Sequence, residues 1–150
     1  MSQPINSQGL NIKKLDSKLF VSGQISEYMM KKISDLGVKL IISNRPEGES
    51  IDQPNDKDLE IKAKLLSIKF KSIPFSVNTL TRDKINSLSK ILDDVKNPVL
   101  IYCKSGARSA VIWALSSILN SDEDINIIAN KVADAGYDPT SLPTLVEHFR

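Results

Sequence analysis

Two short apolar runs most constrain the fold of this chain. Residues 38–43 (VKLIIS) and 99–102 (VLIY) have the length of strands and do not alternate regularly between polar and apolar residues. Such runs are typical of strands in a parallel sheet that is covered on both faces. Helical patterns alternate with these runs and with shorter strand patterns at 18–22 and 69–74. We therefore predict an α/β fold of three layers, a mainly parallel sheet flanked by helices.

The helical patterns define most of the remaining chain. Apolar residues recur at helical spacing in about residues 26–36, 56–66, 81–95, 109–119, 122–135 and 142–149. Ser26 and Thr81 are placed to cap the first and third of these helices. We expect residues 1–150 to form a single domain, and we expect the polar start, about residues 1–12, to be flexible.

Composition excludes several classes of function. The 150 residues carry a net charge of +2 with mixed signs along the chain, which does not favour binding to nucleic acid or to a membrane. The chain has one cysteine and one histidine, so neither an internal disulfide nor a clustered metal site is expected, and no cofactor motif is visible. No apolar signal segment is present. These features predict a cytoplasmic location.

The segment from Cys103 to Arg108 lies where a buried strand gives way to an apolar helix. This places Cys103 at the carboxyl edge of the sheet, where α/β folds bind their ligands. Backbone N–H groups in such a loop, together with the start of the helix, form an anion-binding site that stabilises a thiolate. We therefore predict that Cys103 is a nucleophile and that Gly106 lies where φ is positive or a ligand approaches closely.

The neighbouring residues have predicted roles in the same site. Arg108 is expected to bind two substrate oxygens through its planar guanidinium, and Ser109 to donate a hydrogen bond to the sulfur of Cys103. The loop residues are expected to bind the anion, mainly through their backbone N–H groups: Lys104, Ser105, Gly106 and Ala107. Arg45 follows the strand at 38–43 and is a further candidate for binding an anionic substrate. The alternative interpretation is a buried, inert cysteine in an ordinary turn.

The loop resembles that of a known enzyme class. Residues 103–109 (CKSGARS) look like the active loop of rhodanese-type sulfurtransferases, and the loop is one residue shorter than that of protein tyrosine and dual-specificity phosphatases. The chain as a whole is similar to the beta-lactamase hydrolase-like family, a phosphatase-like family also described as sulfur transferases. The similarity rests on five segments: 21–24, 43–49 with Gln53 and Pro54, 73–74, the Cys103 loop up to Trp113, and 135–138. It implies a dual-specificity-phosphatase-like fold.

Two departures from the phosphatase pattern bear on function. Tyr102 stands where phosphatases usually have a histidine, and residues 74–80 (PFSVNTL) contain no carboxylate to act as general acid. Transfer of a sulfane sulfur needs less proton donation than ester hydrolysis, because the leaving sulfite or thiolate is already a stable anion. We therefore expect a sulfurtransferase that works through a Cys103 persulfide. A phosphatase-like hydrolase with a Cys103 phosphocysteine is the alternative, and a non-catalytic module that binds anions or persulfides is a third.

The expected partners follow from these alternatives. The substrate is expected to be a small anion or a persulfide. The sulfur-transfer interpretation also calls for an acceptor, which can be a thiol acceptor protein. The resemblance implies a metal-dependent hydrolase as a separate chain, because the family also joins such domains to a metal-dependent hydrolase whose His-rich motif is absent from this sequence.

Overall fold

A computed structural model describes residues 11–150 of the chain. Its strands, in chain order, are β1 (Lys13–Asp16), β2 (Leu19–Ser22), β3 (Leu40–Ser43), β4 (Lys69–Ser72) and β5 (Val99–Tyr102). Its α-helices are α1 (Met30–Asp35), α2 (Asp56–Leu65), α3 (Arg82–Asp94), α4 (Ala107–Asn120), α5 (Ile125–Asp134) and α6 (Leu142–Phe149), and a 3₁₀ turn, Glu27–Met29, precedes α1.

The five strands form one sheet in the order β1-β2-β5-β3-β4. Strands β2, β5, β3 and β4 are parallel to one another, as predicted. Strand β1 pairs antiparallel with β2, and the sequence analysis did not predict it. It is only four residues long, and Leu15 is its one buried side chain, so its pattern gives little strand signal. The order places β5 at the centre of the sheet.

Each face of the sheet contributes to a separate hydrophobic core. Val99 and Ile101 of β5 pack with the side chains of α3, α4, α5 and α6. Leu100 and Tyr102 point to the other face and pack with α1 and α2. Because side chains alternate along a strand, one four-residue apolar run supplies both cores. This arrangement confirms the predicted three layers, with helices on both faces of a mainly parallel sheet.

Hydrogen bonds at the helix starts explain several boundaries. Thr81 caps α3 as predicted, and its side chain accepts from the N–H of Lys84 at 3.2 Å. Asp124 caps α5 by accepting from the N–H of Asn126 at 2.7 Å, so this helix begins three residues later than predicted. Ser26 precedes the 3₁₀ turn, but its side chain makes no capping bond. Helix α4 begins at Ala107, two residues earlier than predicted, so Arg108 lies in its first turn.

The two ends of the described chain are both packed. The predicted flexibility of residues 1–10 lies outside the residues that the structure describes. At residue 12 the prediction is wrong, because Ile12 is 5% exposed and belongs to the core beside α1 and α2. At the other end, α6 buries Leu142 and Val146 against the opposite core. Within residues 11–150, no helix has the length and apolar character needed to cross a membrane.

Candidate active site

Cys103 directly follows the central strand and is fully buried. Its backbone N–H donates to the carbonyl of Ser22 at 3.4 Å, which continues the pairing between β5 and β2. The N–H of Gln24 then donates to the carbonyl of Lys104 at 3.1 Å. Gly23 passes so close to this carbonyl that an added Cβ would lie 2.8 Å from its oxygen. The end of β2 therefore fixes the first half of the Cys103 loop.

The loop turns back on the sulfur at Gly106. The backbone N–H of Gly106 donates to Sγ of Cys103 at 3.1 Å. Gly106 has φ of +100° and is the residue before α4, so the start of this helix faces the sulfur. A donor N–H and the positive end of a helix both stabilise a thiolate. The structure thus places Gly106 as the sequence predicts, at a positive φ where the backbone approaches the reactive atom.

Tyr137 packs against the outer side of the same loop. Its hydroxyl lies 3.4 Å from the carbonyl oxygen of Ser105. A Cβ added to Gly106 would lie 2.1 Å from the Tyr137 hydroxyl oxygen, so no larger residue fits there without movement. Burial, and then the charge of Cys103, raise the pKa of Tyr137, so the phenol stays protonated at neutral pH. Tyr137 supports the shape of the loop from outside.

Arg108 is held by Glu49, which comes from the loop after β3. Its Nη1 and Nη2 atoms donate to the two carboxylate oxygens of Glu49, both at 2.8 Å. Nη1 also donates to the carbonyl of Phe75 at 3.0 Å. The hydrogen bond to Arg108 is the main cause that lowers the pKa of Glu49 from 4.5 to about 2. Glu49 is therefore ionised at neutral pH and fixes the direction of the guanidinium.

The remaining donors of Arg108 are suited to an anion. Glu49 accepts one hydrogen from each Nη atom and Phe75 accepts the second hydrogen of Nη1, which leaves Nε and one Nη2 hydrogen without an oxygen acceptor among residues 11–150. These two donors form the second planar fork of an arginine. The hydrogen bond that Arg108 donates to Glu49, and then the charge of Cys103, raise the pKa of Arg108. The site can therefore offer an anion this fork beside the sulfur.

Arg45 does not serve the predicted role. Its side chain is 4% exposed, and its three nitrogens donate to Glu49, Gln24 and Ser50 at 2.9–3.0 Å. A guanidinium buried and bonded in this way has little capacity to bind a substrate. The prediction that Arg45 binds the anion is wrong in this structure. Arg45 instead orients Glu49, which in turn orients Arg108.

The hydroxyl of Ser109 is also engaged differently from the prediction. Ser109 is fully buried, and its Oγ donates to Oδ1 of Asn44 at 2.7 Å. Asn44 is fixed in turn, since its Nδ2 donates to the carbonyl of Ile73 at 2.9 Å. A hydroxyl has one hydrogen, so donation from Ser109 to Cys103 requires an exchange of partners. In this structure Ser109 links α4 to the ends of β3 and β4.

The other loop residues are held by contacts within the loop and with Gln24, and their predicted binding of an anion stays a prediction. Lys104 is exposed, and its carbonyl is bonded to Gln24. Ser105 is exposed, and its side chain accepts from the N–H of Ala107 at 3.2 Å, which stabilises the turn into α4. Gly106 supplies the amide that points at the sulfur. The loop is thus held by backbone contacts on both of its sides.

Glu49 and Asp52 are poor proton donors at neutral pH, because their carboxyl groups are ionised. Glu49 has a pKa of about 2, and the Ser50 hydroxyl bonded to Asp52 lowers the pKa of that carboxyl too. Asp83, which follows the loop at residues 74–80, lies in the first turn of α3, where a negative charge stabilises the helix. A leaving group that departs easily as an anion therefore suits this site best.

Comparison with known proteins now identifies the family. Residues 11–120 match the family model described as "Beta-lactamase hydrolase-like protein, phosphatase-like domain". The chain belongs to this family. The match covers the Cys103 loop, Arg45, Glu49 and all of α4, and it confirms the family resemblance seen in the sequence.

Curated relatives of the family are longer than this chain. A beta-lactamase hydrolase-like protein of Xylella fastidiosa is 25% identical over 111 residues, and one of Agrobacterium fabrum is 27% identical over 107 residues. These alignments cover 74% and 71% of this chain, but only 26% and 25% of the relatives. The chain therefore matches about a quarter of each relative's length.

Solved structures of the same fold are phosphatase-like. A structure described as a putative phosphatase from Neisseria meningitidis superposes with a TM-score of 0.83 at 23% identity, covering 93% of this chain and 99% of that chain. The TpbA protein of P. aeruginosa, solved in complex with pTyr, gives a TM-score of 0.65 at 16% identity, covering 97% and 95%. At these identities the likeness shows the fold, which is that of the tyrosine and dual-specificity phosphatases.

Three residues of the site were not singled out from the sequence. Glu49 and Asn44 lie within the segment 43–49, and Tyr137 within 135–138, both used above for the family resemblance. Their roles depend on contacts with residues 59, 65 and 32 positions away in the chain. For Glu49 and Asn44 the sequence did contain a signal, because both lie in the loop after β3. That loop lies beside the loop after β5 when the two strands are neighbours in the sheet.

Proposed function

We propose that this protein is a cysteine-dependent phosphatase-type hydrolase that acts on phosphomonoesters with good leaving groups. One observation carries the proposal. The N–H of Gly106 points at Sγ of Cys103 at 3.1 Å, and Glu49 holds Arg108 at the end of the same loop with Nε and one Nη2 hydrogen not bonded to an oxygen of residues 11–150. The family match and the phosphatase-like fold support this alternative better than the sulfurtransferase interpretation that the sequence analysis placed first.

The proposed reaction has two steps. The Cys103 thiolate attacks phosphorus, an S–P bond forms, and the P–O bond to the leaving group breaks with release of an alkoxide or phenoxide. Water then attacks phosphorus, the S–P bond breaks, and inorganic phosphate leaves with regeneration of the thiolate. The Gly106 amide and the free fork of Arg108 stabilise the negative charge on the transferred group.

The ionisation of Glu49 and the composition of residues 74–80 define the expected substrates. Residues 74–80 contain no carboxylate, and Glu49 is ionised at neutral pH. The leaving group then receives no proton from these groups in the first step, so the rate depends strongly on its own stability as an anion. Aryl phosphates with acidic phenols are expected to react faster than alkyl phosphates.

Trapping of the intermediate tests the proposal directly. The protein is mixed with an aryl phosphate bearing an acidic phenol, denatured within one turnover under alkaline conditions because the S–P bond hydrolyses in acid, and analysed by peptide mass spectrometry at the same pH. We expect Cys103 to gain the mass of one phosphoryl group, and we expect Cys103→Ser to lose turnover. Turnover that persists in Cys103→Ser, or the absence of any turnover of aryl phosphates, would contradict the proposal.

Sulfur transfer remains a second candidate because of the loop length. Only four residues separate Cys103 from Arg108, one fewer than in the phosphatases that the sequence resembles, and no acid is required for a sulfite leaving group. In this reaction the thiolate attacks the outer sulfur of thiosulfate, the S–S bond breaks with release of sulfite, and an acceptor thiolate then removes the sulfur. A gain of one sulfur atom at Cys103 after thiosulfate treatment, with cyanide-dependent release as thiocyanate, would favour it.

A further inference from the structure

An apolar groove begins beside the candidate active site. It has a volume of about 620 Å³ and lies between the loop at residues 75–80, the first turns of α4, and α6. Phe75, Val77, Val111 and Leu145 give it a mainly apolar lining. This volume falls within the range of pockets that bind drug-sized ligands, about 300–1,000 Å³. A bare phosphate or thiosulfate would leave nearly all of the groove filled with water.

Arg108 joins the groove to the Cys103 loop. It lines the groove together with Ala107, and it is the same guanidinium that Glu49 fixes beside the sulfur. Among residues 11–150, Arg108 is the only lysine or arginine that lines the groove, and no carboxylate lines it. The groove is therefore cationic at the end next to the active site and mainly apolar elsewhere, with His148, Asn78, Ser141 and Thr144 as its other polar lining residues. This distribution is complementary to a molecule with one anionic end and an apolar body.

The walls of the groove are fixed by contacts on their far sides. Nη1 of Arg82 in α3 donates to the carbonyl of Phe149 at the end of α6. The 75–80 loop is tied to β3, because the N–H of Phe75 donates to the carbonyl of Asn44 at 3.1 Å. Val77 remains 84% exposed on the groove wall, next to the apolar side chains of Phe75 and Leu80. An apolar ligand would cover it.

We propose that this groove binds the apolar part of the substrate, which is an anionic amphiphile: its phosphorylated head lies at Cys103 and Arg108, and its apolar body, attached through a leaving group that is stable as an anion, lies in the groove. This inference rests on the proposed function, since it assumes that the reacting anion lies in the Cys103 loop. It narrows the substrate class from phosphomonoesters in general to those with an apolar body.

Binding of n-alkyl phosphates to the Cys103→Ser protein tests this inference without requiring turnover. Methyl, butyl and octyl phosphate are titrated by calorimetry at concentrations where octyl phosphate does not aggregate. Each buried methylene is expected to tighten binding by about fourfold, from about 0.8 kcal/mol per CH₂, until the tail outgrows the groove. Equal affinity for methyl and octyl phosphate would overturn the inference.

Variants locate the effect. Val77→Asp and Leu145→Asp place a charge in the groove. Each is expected to remove most of the gain in binding affinity between methyl phosphate and octyl phosphate. Ile127→Asp is the matched control, because Ile127 is 54% exposed on α5 and does not line the groove, and it should retain the gain. Circular dichroism and urea unfolding of each variant show whether it is folded. A gain that survives in both groove variants would place the tail elsewhere and contradict the inference.

The outcomes separate the two proposals. If no alkyl phosphate binds, the head is not recognised and the proposed function fails. If methyl phosphate binds and chain length has no effect, the proposed function stands and the groove proposal fails. Self-association of the protein that octyl phosphate does not reverse would indicate that a second copy occupies the groove, and this also overturns the inference.

Discussion

Glu49 and Arg108 are joined by two parallel hydrogen bonds of 2.8 Å, although 59 positions separate them in the chain. Pairs of this geometry fix the plane of a guanidinium as well as its charge. Arg45 bonds the same carboxylate from the other side at 2.9 Å. Two arginines thus share one acid, the buried one as a support and the more exposed one facing the anion site.

Replacement of Glu49 should reduce activity by releasing Arg108. We expect Glu49→Gln to lower kcat/KM for aryl phosphates by up to about 100-fold, because a misdirected reacting or binding group can cost that much. Steady-state kinetics measure the effect. Glu123→Gln, at an exposed position without an ion pair among the described residues, is the matched control. Wild-type kinetics in Glu49→Gln would show that Arg108 needs no such support.

The same carboxylate predicts how stability depends on pH. A carboxyl with a lower pKa in the folded protein stabilises the fold above its unfolded value, and this contribution is lost as pH falls through the folded value. For Glu49 the window runs from 4.5 down to about 2. Urea unfolding across this window should show a smaller acid-induced loss of stability in Glu49→Gln than in the wild type. Parallel curves for the two proteins would contradict this prediction.

Gly106 should tolerate no side chain. In Gly106→Ala, the positive φ alone costs about 1–2 kcal/mol, and the new Cβ also meets the hydroxyl of Tyr137 at 2.1 Å. We expect this variant to lose more stability than Gly48→Ala, and to lose turnover. Gly48 has φ of +69° with no atom within 4 Å of an added Cβ, so it reports the backbone cost without the clash. Equal unfolding midpoints for the two variants would remove Tyr137 from the explanation.

Arg45 should matter for stability rather than for binding. Arg45→Met leaves Gln24 and Ser50 without their buried donor, and we expect a loss of about 1–3 kcal/mol in the free energy of unfolding. Lys31→Met, which breaks an exposed ion pair with Asp35, is the control and should cost less than about 1 kcal/mol. Urea denaturation measures both. A stable Arg45→Met protein with weakened anion binding would restore the original prediction for Arg45.

The local sequence predicted the parts of the fold that depend on local patterns. Strands β3 and β5 are short apolar runs, and Thr81 has the side chain and the position of a helix cap. Strand β1 was missed because its hydrogen bonds depend on β2 and only Leu15 marks a buried face. Propensity is a weak guide for so short a segment when tertiary pairing decides its conformation.

The residues of the candidate site were also predicted only where their positions depend on local sequence. Cys103, Gly106 and Arg108 lie within six residues and could be predicted, because a strand end and a helix start fix their relative positions. Arg45 was assigned to the wrong role, since its sequence neighbours do not reveal that Gln24 and Ser50 bury its guanidinium. A charged residue at a sheet edge can face a ligand or a neighbouring loop, and only the packing of the loops decides between them.

The close approach of Gly23 to the carbonyl of Lys104 has an evolutionary consequence. Lys104 contributes only its backbone there, so many residue types are compatible at position 104, whereas position 23 admits almost none besides glycine. Substitutions at position 104 are therefore tolerated only while Gly23, which follows β2, is kept. In a saturation mutagenesis experiment, tolerance at position 104 should collapse in any background that alters position 23.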